Sequence, residues 1–146
     1  MSSIAFLDSS VFLHAYLTPR RSLTKEEAKM KEIAKAIIKE VEEGLPVATS
    51  TVHICEIANI IESRVSLTAA LGLVSTLFSR ENIDVLAVTF EDYKRAILIA
   101  RRYLVSLNDA VAYLKMKEEG ITKIYTFDSH FKNFGDIVIL PGENLP

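Results

Sequence analysis

Four acidic side chains in this 146-residue chain stand at or near the ends of predicted elements or within them, and together they could do carboxylate chemistry. Asp8 ends the run in "IAFLDSS" and Asp128 ends the run in "IYTFDSH". Asp109 opens the segment "NDAVAYLKMKEEG", and Glu56 lies within "TVHICEIANIIESRV". Carboxylates brought together raise one another's pKa, and burial adds to the rise. A divalent cation removes that conflict, and an all-oxygen donor set suits Mg2+ or Mn2+. Zinc sites favour His and Cys, and His14, His53, His130 and the single Cys55 are not spaced as a ligand set. In two-metal sites the ions lie roughly 3.5–4 Å apart and clamp the attacking and leaving oxygens of a displacement at phosphorus, so the best-fitting chemistry is phosphodiester hydrolysis.

To act together, these residues must be gathered by the elements around them. "IAFL" (4–7), "PVATS" (46–50), "DVLAVT" (84–89), "TKIYTF" (122–127) and "DIVIL" (136–140) are short apolar runs that predict strands. Between them the pattern predicts helices. "SSVFLHAYL" reads as a short one with a serine cap, ended before Pro19. Residues 24–44 carry capping-box spacing at Thr24 and Glu27 and close at Gly44. Helices are further predicted over 51–65, 66–80, 91–104 and 107–120, the last closed by Gly120. Continuous apolar strands separated by helices imply an α/β fold: a three-layer α/β/α sandwich around a mostly parallel, about five-stranded sheet. Ligands in such sheets bind beyond the carboxyl ends of the strands, where the strand order reverses. Asp8 and Asp128 end strands on that side.

Glu56 needs a separate argument, because a glutamate on a helix is usually solvated. At about 100° per residue, Ile54, Ile57, Ala58, Ile61 and Val65 share one apolar face. Glu56, Asn59 and Ser63 form a narrow polar line flanked by Val52 and Ile60, which suits a helix lining a cleft, with Asn59 placed to support Glu56.

Composition sets the outer bounds. The length fits one domain spanning 1–146, and 49% hydrophobic residues can fill a sizeable core. A formal net charge of −2 rules out a global basic field. One cysteine excludes an internal disulfide framework and points to a reducing, cytoplasmic setting. The opening "MSSIAFLDSS" lacks the basic region of a signal peptide, and "LTAALGLVSTLF" is too short to span a bilayer, so no membrane association is expected. Arg20 and Arg21 are the first choice for phosphate contacts, and His130, two residues from Asp128, could touch a substrate phosphate or simply lie at the surface near the cleft. Cys55 reads as a small core residue. Segments 24–43 and 66–79 carry apolar surface that core packing or a protein interface would absorb.

Each acid also has a plain reading. Asp109 suits a helix N-terminus, Asp8 and Asp128 suit turns, and Glu56 suits solvent. A rival chemistry, phosphate transfer through an aspartyl-phosphate, wants a second aspartate two residues after the nucleophile, but position 10 is serine.

Taken together, the strand–Asp–Ser–Ser start, the acid in the helix after the second strand and "LNDAVAYLKMKEEGITKIYTFDSHF" resemble a PIN domain, the fold of metal-dependent ribonucleases that includes VapC-type toxins. The resemblance covers essentially the whole chain. Its most specific block is Asp109, Ala110, Gly120, Thr126, Asp128 and Phe131. It implies that Asp8, Glu56, Asp109 and Asp128 form an acidic quartet, both catalytic and metal-binding. Ser10, where the family often carries Asn, and Thr126 would support it by hydrogen bonding. The implied activity is endonucleolytic cleavage of RNA by water activated at carboxylate-bound Mg2+ or Mn2+. A homodimer and a cognate antitoxin are the implied partners. The alternative is a catalytically weak PIN-like module that binds RNA or protein.

Overall fold

Short apolar segments bounded by turn formers build a sheet whose strands are only three or four residues long, so the helices between them dominate the chain. The computed structural model describes residues 4–142. The outermost parts of the expected 1–146 span, 1–3 and 143–146, lie outside the described residues. The strands are β1 (Ala5–Leu7), β2 (Val47–Ser50), β3 (Ile83–Leu86), β4 (Lys123–Tyr125) and β5 (Val138–Leu140). The helices are α1 (Ser9–Tyr16), α2 (Lys25–Glu42), α3 (Thr51–Arg64), α4 (Leu67–Ser79), α5 (Phe90–Tyr103) and α6 (Leu107–Glu119). A 3-10 helix, Ser129–Phe134, follows β4 and has no counterpart in the sequence reading.

All strand pairings are parallel, in the order β3-β2-β1-β4-β5. Phe6 stands opposite Ala48 on one side and Ile124 on the other. Successive strand residues face opposite sides. Leu7 and Val47 pack with α1 through α4 in one core; Phe6, Ala48 and Ile124 pack with α6 and the 3-10 helix in the other. Helices therefore cover both faces, as the continuous apolar strands require. The chain builds outward from β1 to β2 and β3, then returns to lay β4 on the other side of β1. The strand order reverses between β1 and β4.

The caps show how local chemistry fixes the helix starts. Thr24 and Glu27 form the expected capping box, and Thr89 with Asp92 forms a second. Ser50, Ser66 and Ser106 cap α3, α4 and α6. Helix α1 departs from expectation: its cap position falls on Asp8, not on a serine, and the Asp8 side chain makes no capping bond. Its carboxylate is held by other donors, described below. Gly120 ends α6 at φ 68°, a left-handed conformation that costs glycine nothing sterically.

Two sequence expectations about burial fail. Cys55 is exposed, because it projects from the side of α3 that faces solvent. Val65 is 60% exposed, because α3 ends before it and the chain turns toward α4. Helix α4 buries only Ala70 and Leu77 and leaves Leu67, Leu71 and Phe78 exposed. No helix among the described residues is long and apolar enough to cross a membrane.

Candidate functional site

The carboxyl ends of β1 and β4 are stitched together by two hydroxyl groups. Ser10 Oγ donates to Asp8 Oδ2 at 2.7 Å and accepts from the backbone N–H of Phe127 at 3.0 Å. Thr126 Oγ1 donates to the same Asp8 oxygen at 2.8 Å and accepts from the backbone N–H of Asp128 at 3.0 Å. Each hydroxyl carries one hydrogen. Both hydrogens go to Asp8 Oδ2, so that oxygen is satisfied and the carboxylate is clamped at the point where strand order reverses. Asp8 is 4% exposed and Thr126 1%. Taking a carboxylate this far from water requires such compensation.

Asp128 caps the 3-10 helix, its Oδ1 accepting from the His130 backbone N–H at 2.9 Å. The His130 ring follows, with Nδ1 at 2.8 Å from the same oxygen. Asp109 arrives from α6. Ser106 caps that helix and accepts the Asp109 backbone N–H at 3.1 Å, so Asp109 is its third residue instead of its first. In a full capping box the acid at this position would turn back to the cap's own N–H. Here it does not: Asp109 is buried, and its Oδ2 has no hydrogen-bond partner among the described residues. One ligand atom from each of Asp109, Asp128 and His130 lies within 4.8 Å of the others.

Burial, then the charges of Asp128 and Asp8, pushes the Asp109 carboxyl up to about 7, against a lowering contribution from its Ser106 hydrogen bond. Three of the four sequence-selected acids are thus electrostatically joined. Glu56, the fourth, is brought in from α3. Ser9 Oγ donates to its Oε1, and Asn108 Nδ2 donates to its Oε2 at 3.1 Å. Those donors immediately follow Asp8 and precede Asp109 in the chain. Asn59 lines the same pocket of about 400 Å3 as Glu56 and Asn108, but the carboxylate turns toward α1 and α6, so its donors are Ser9 and Asn108.

The expected phosphate contacts fare differently. Arg21 gives both guanidinium nitrogens to Glu27, at 2.7 and 2.8 Å. This bidentate pair turns the guanidinium toward Glu27 at an exposed position. Arg20 lines a groove with Arg64, in the last turn of α3, about 12 Å of helix rise beyond Glu56. Arg64 and Ile60 also line the groove that holds Arg21, and Ile60 walls the Glu56 pocket, so one surface track leads from the acids to these arginines.

Three residues around the acids escape a reading by residue type. Asn108 is hidden by its place beside Asp109, and Arg64 by its distance in sequence. His53 is fully buried, with Nδ1 2.6 Å from Ser50 Oγ and Nε2 3.7 Å from Asp8 Oδ1. Burial holds its pKa below the ordinary value, against the pull of Asp8 and Glu56. The Ser-x-x-His spacing at 50–53, a helix cap and its third residue, was the one signal for it.

The donor set fits a divalent cation. It is mainly carboxylate oxygen, one of those oxygens is buried without a partner, and the repulsion that raises Asp109 is what a cation would relieve.

Comparison with known proteins bears on the fold and the family. No curated protein matches the sequence. Among solved structures, the sarcin-ricin loop cleaving toxin VapC20 of Mycobacterium tuberculosis superposes with a TM-score of 0.70 at 22% identity, over 91% of this chain and 96% of that one. VapBC2 of Rickettsia felis, bound to a DNA fragment from its promoter, gives 0.62 at 11% identity, over 93% and 96%. A toxin–antitoxin complex from Klebsiella pneumoniae gives 0.58 at 14% identity, over 92% and 95%. At these identities the likeness concerns the fold. The family is fixed by the sequence itself, which matches the PIN domain from residue 5 to residue 137, and so the chain belongs to the PIN domain family.

Proposed function

We propose that this chain is an Mg2+- or Mn2+-dependent endoribonuclease and the toxin of a toxin–antitoxin pair, acting as one domain in the cytoplasm. The observation that carries the reading is the unpartnered Asp109 Oδ2, buried within reach of Asp128 and beside Asp8. Buried polar atoms are seldom left without a partner, and a bound cation would supply the one that this oxygen lacks.

Asp109, Asp128 and, through its open Oδ1, Asp8 would hold the ion, with Glu56 held nearby by Ser9 and Asn108 and His130 offering a nitrogen at the rim. An ion held there supplies Lewis acidity toward a phosphodiester and lowers the pKa of water. The remaining work belongs to the chain. Ser10 and Thr126 keep Asp8 from swinging away. Ser9 and Asn108 aim Glu56 into the cleft from the opposite wall. RNA would lie along the track past Asn59 and Ile60 to Arg64 and Arg20. The similar structures named above include a sarcin-ricin loop cleaving toxin and a toxin–antitoxin complex, which supports a toxin role and an antitoxin partner here. A homodimer is part of the same proposal, and the exposed Leu67, Leu71 and Phe78 of α4 are apolar surface that a partner would cover.

The test is incubation of labelled single-stranded RNA with Mn2+ or with EDTA. Cleavage is expected with Mn2+ alone, to fall to background in Asp8→Asn and Asp128→Asn, and to drop about 10-fold in Ser10→Ala, the usual scale for a residue that orients a metal ligand. Tight RNA binding without cleavage, unchanged in those variants, would instead identify a binding module.

A further inference from the structure

We propose that His53 is a positioning residue for Asp8, its Nε2–H facing Oδ1 and keeping that oxygen turned toward the cation site. The proposal rests on the metal-dependent reading above and concerns a group that reading does not use.

Ser50 Oγ accepts the backbone N–H of His53 at 3.3 Å, which caps α3. The same oxygen lies 2.6 Å from His53 Nδ1. A hydroxyl can donate to a bare Nδ1 or accept from an Nδ1–H. Asp8 decides between them: a neutral ring with its hydrogen on Nε2 turns an N–H dipole toward Oδ1, 3.7 Å away, whereas a bare Nε2 would set a lone pair against the carboxylate. Complete burial favours the neutral ring. Ser50 then donates its hydrogen to Nδ1.

The buried ring packs edge-to-face with Phe6, centroids 5.1 Å apart and planes at 77°, which opposes its turning away. Nε2 has no hydrogen-bond partner among the described residues and lies 3.7 Å from Asp8 Oδ1. Asp8 Oδ2 already receives Ser10 and Thr126. Oδ1 receives no hydrogen bond among the described residues, so one oxygen of Asp8 is clamped and the other is left open with an N–H dipole at its side. A position that needed only packing would be served by an apolar ring, with no buried nitrogen left unpaired. Removing a hydrogen-bonded support from a metal ligand commonly costs 10–100-fold in metal affinity, and that is the scale against which this N–H dipole is tested.

Three measurements on the full chain decide the matter. Histidine 15N shifts of the metal-free protein at pH 7 should show Nε2 protonated and Nδ1 bare; the opposite tautomer overturns the proposal. Mn2+ binding, followed by calorimetry, should weaken about 10–100-fold in His53→Phe, while His53→Gln, whose amide restores a donor near Nε2, stays within about threefold of wild type. Thermal unfolding checks that both variants fold, and His53→Met replaces His53→Phe should the latter not fold. A folded apolar variant that binds Mn2+ as wild type does overturns the role of His53 alone. Wild-type protein that binds no Mn2+ overturns the metal-dependent reading, and the positioning role with it.

Discussion

Asp109 concentrates the physical tension of the molecule in one side chain. It is buried, it faces two other carboxylates, and one of its oxygens has no partner among the described residues. Such a residue is a liability to the metal-free fold, because its ionised form is repelled and poorly solvated. Removing the charge should therefore stabilise the protein while destroying the site. Asp109→Asn is expected to raise the metal-free melting temperature at pH 8, where about 1 kcal/mol corresponds to roughly 3 °C in a domain of this size. The same variant should gain nothing from added Mn2+, whereas wild type should gain several degrees. A fall in melting temperature without metal would show that the carboxylate contributes to stability instead. Asp8 and Asp128 stand out in the sequence because each ends an apolar run, whereas the proximity of Asp109 to them is visible only in the fold. His53 does not stand out, since helical periodicity places it among apolar neighbours and only the fold reveals Asp8 across from it.

Elements carry these residues to their places, and α6 is the one most firmly tied down. Asp92, from the capping box of α5, receives Lys115 at 2.7 Å and Arg95 at 2.8 Å, and accepts the Thr89 N–H at 2.8 Å. Lys115 and Asp92 are both buried, so this pair fixes α6, and with it Asp109, against α5. Breaking a buried pair from one side leaves an uncompensated charge. Asp92→Ala is expected to cost about 3–5 kcal/mol in urea unfolding at pH 7. The pH dependence has a definite sign. The Lys115 hydrogen bond, then the Thr89 N–H, hold the Asp92 carboxyl well below the usual range. Its contribution is therefore complete above the unfolded value of about 3.9 and is lost as pH falls below it. Asp92→Asn should flatten that part of the acid limb and leave stability between pH 5 and 8 without added slope. The elements were readable from capping and apolar runs, down to Thr24, Glu27 and Gly120. The cap of α1 was misplaced because Asp8 occupies the cap position while its side chain serves the site. The 3-10 helix went unread because a six-residue segment leaves too little periodicity to detect.

For the molecule as a whole, parallel order β3-β2-β1-β4-β5 is what converts residues scattered along the chain into one crevice. The same topology sets where substrate can lie. With a formal net charge of −2, the protein has no overall attraction for a polyanion, so under the proposed function any phosphate contacts would come from local cations. Lys115 and Arg21 are paired with Asp92 and Glu27. Arg64 and Arg20, along the groove, remain. Arg64→Ala is expected to reduce the salt dependence of RNA affinity by about 0.7 in log–log slope, the value of one phosphate contact on a single strand, while Arg21→Ala leaves the slope unchanged. Equal slopes for wild type and Arg64→Ala would place the RNA elsewhere. The account as a whole depends on the acids at the β1–β4 switch point accepting a divalent ion. Anomalous diffraction from crystals grown with Mn2+ addresses this directly. A Mn2+ peak in contact with Asp109 and Asp128 is the predicted result. A crystal at saturating Mn2+ with no peak there, and Asp109 Oδ2 still unpaired, would contradict it.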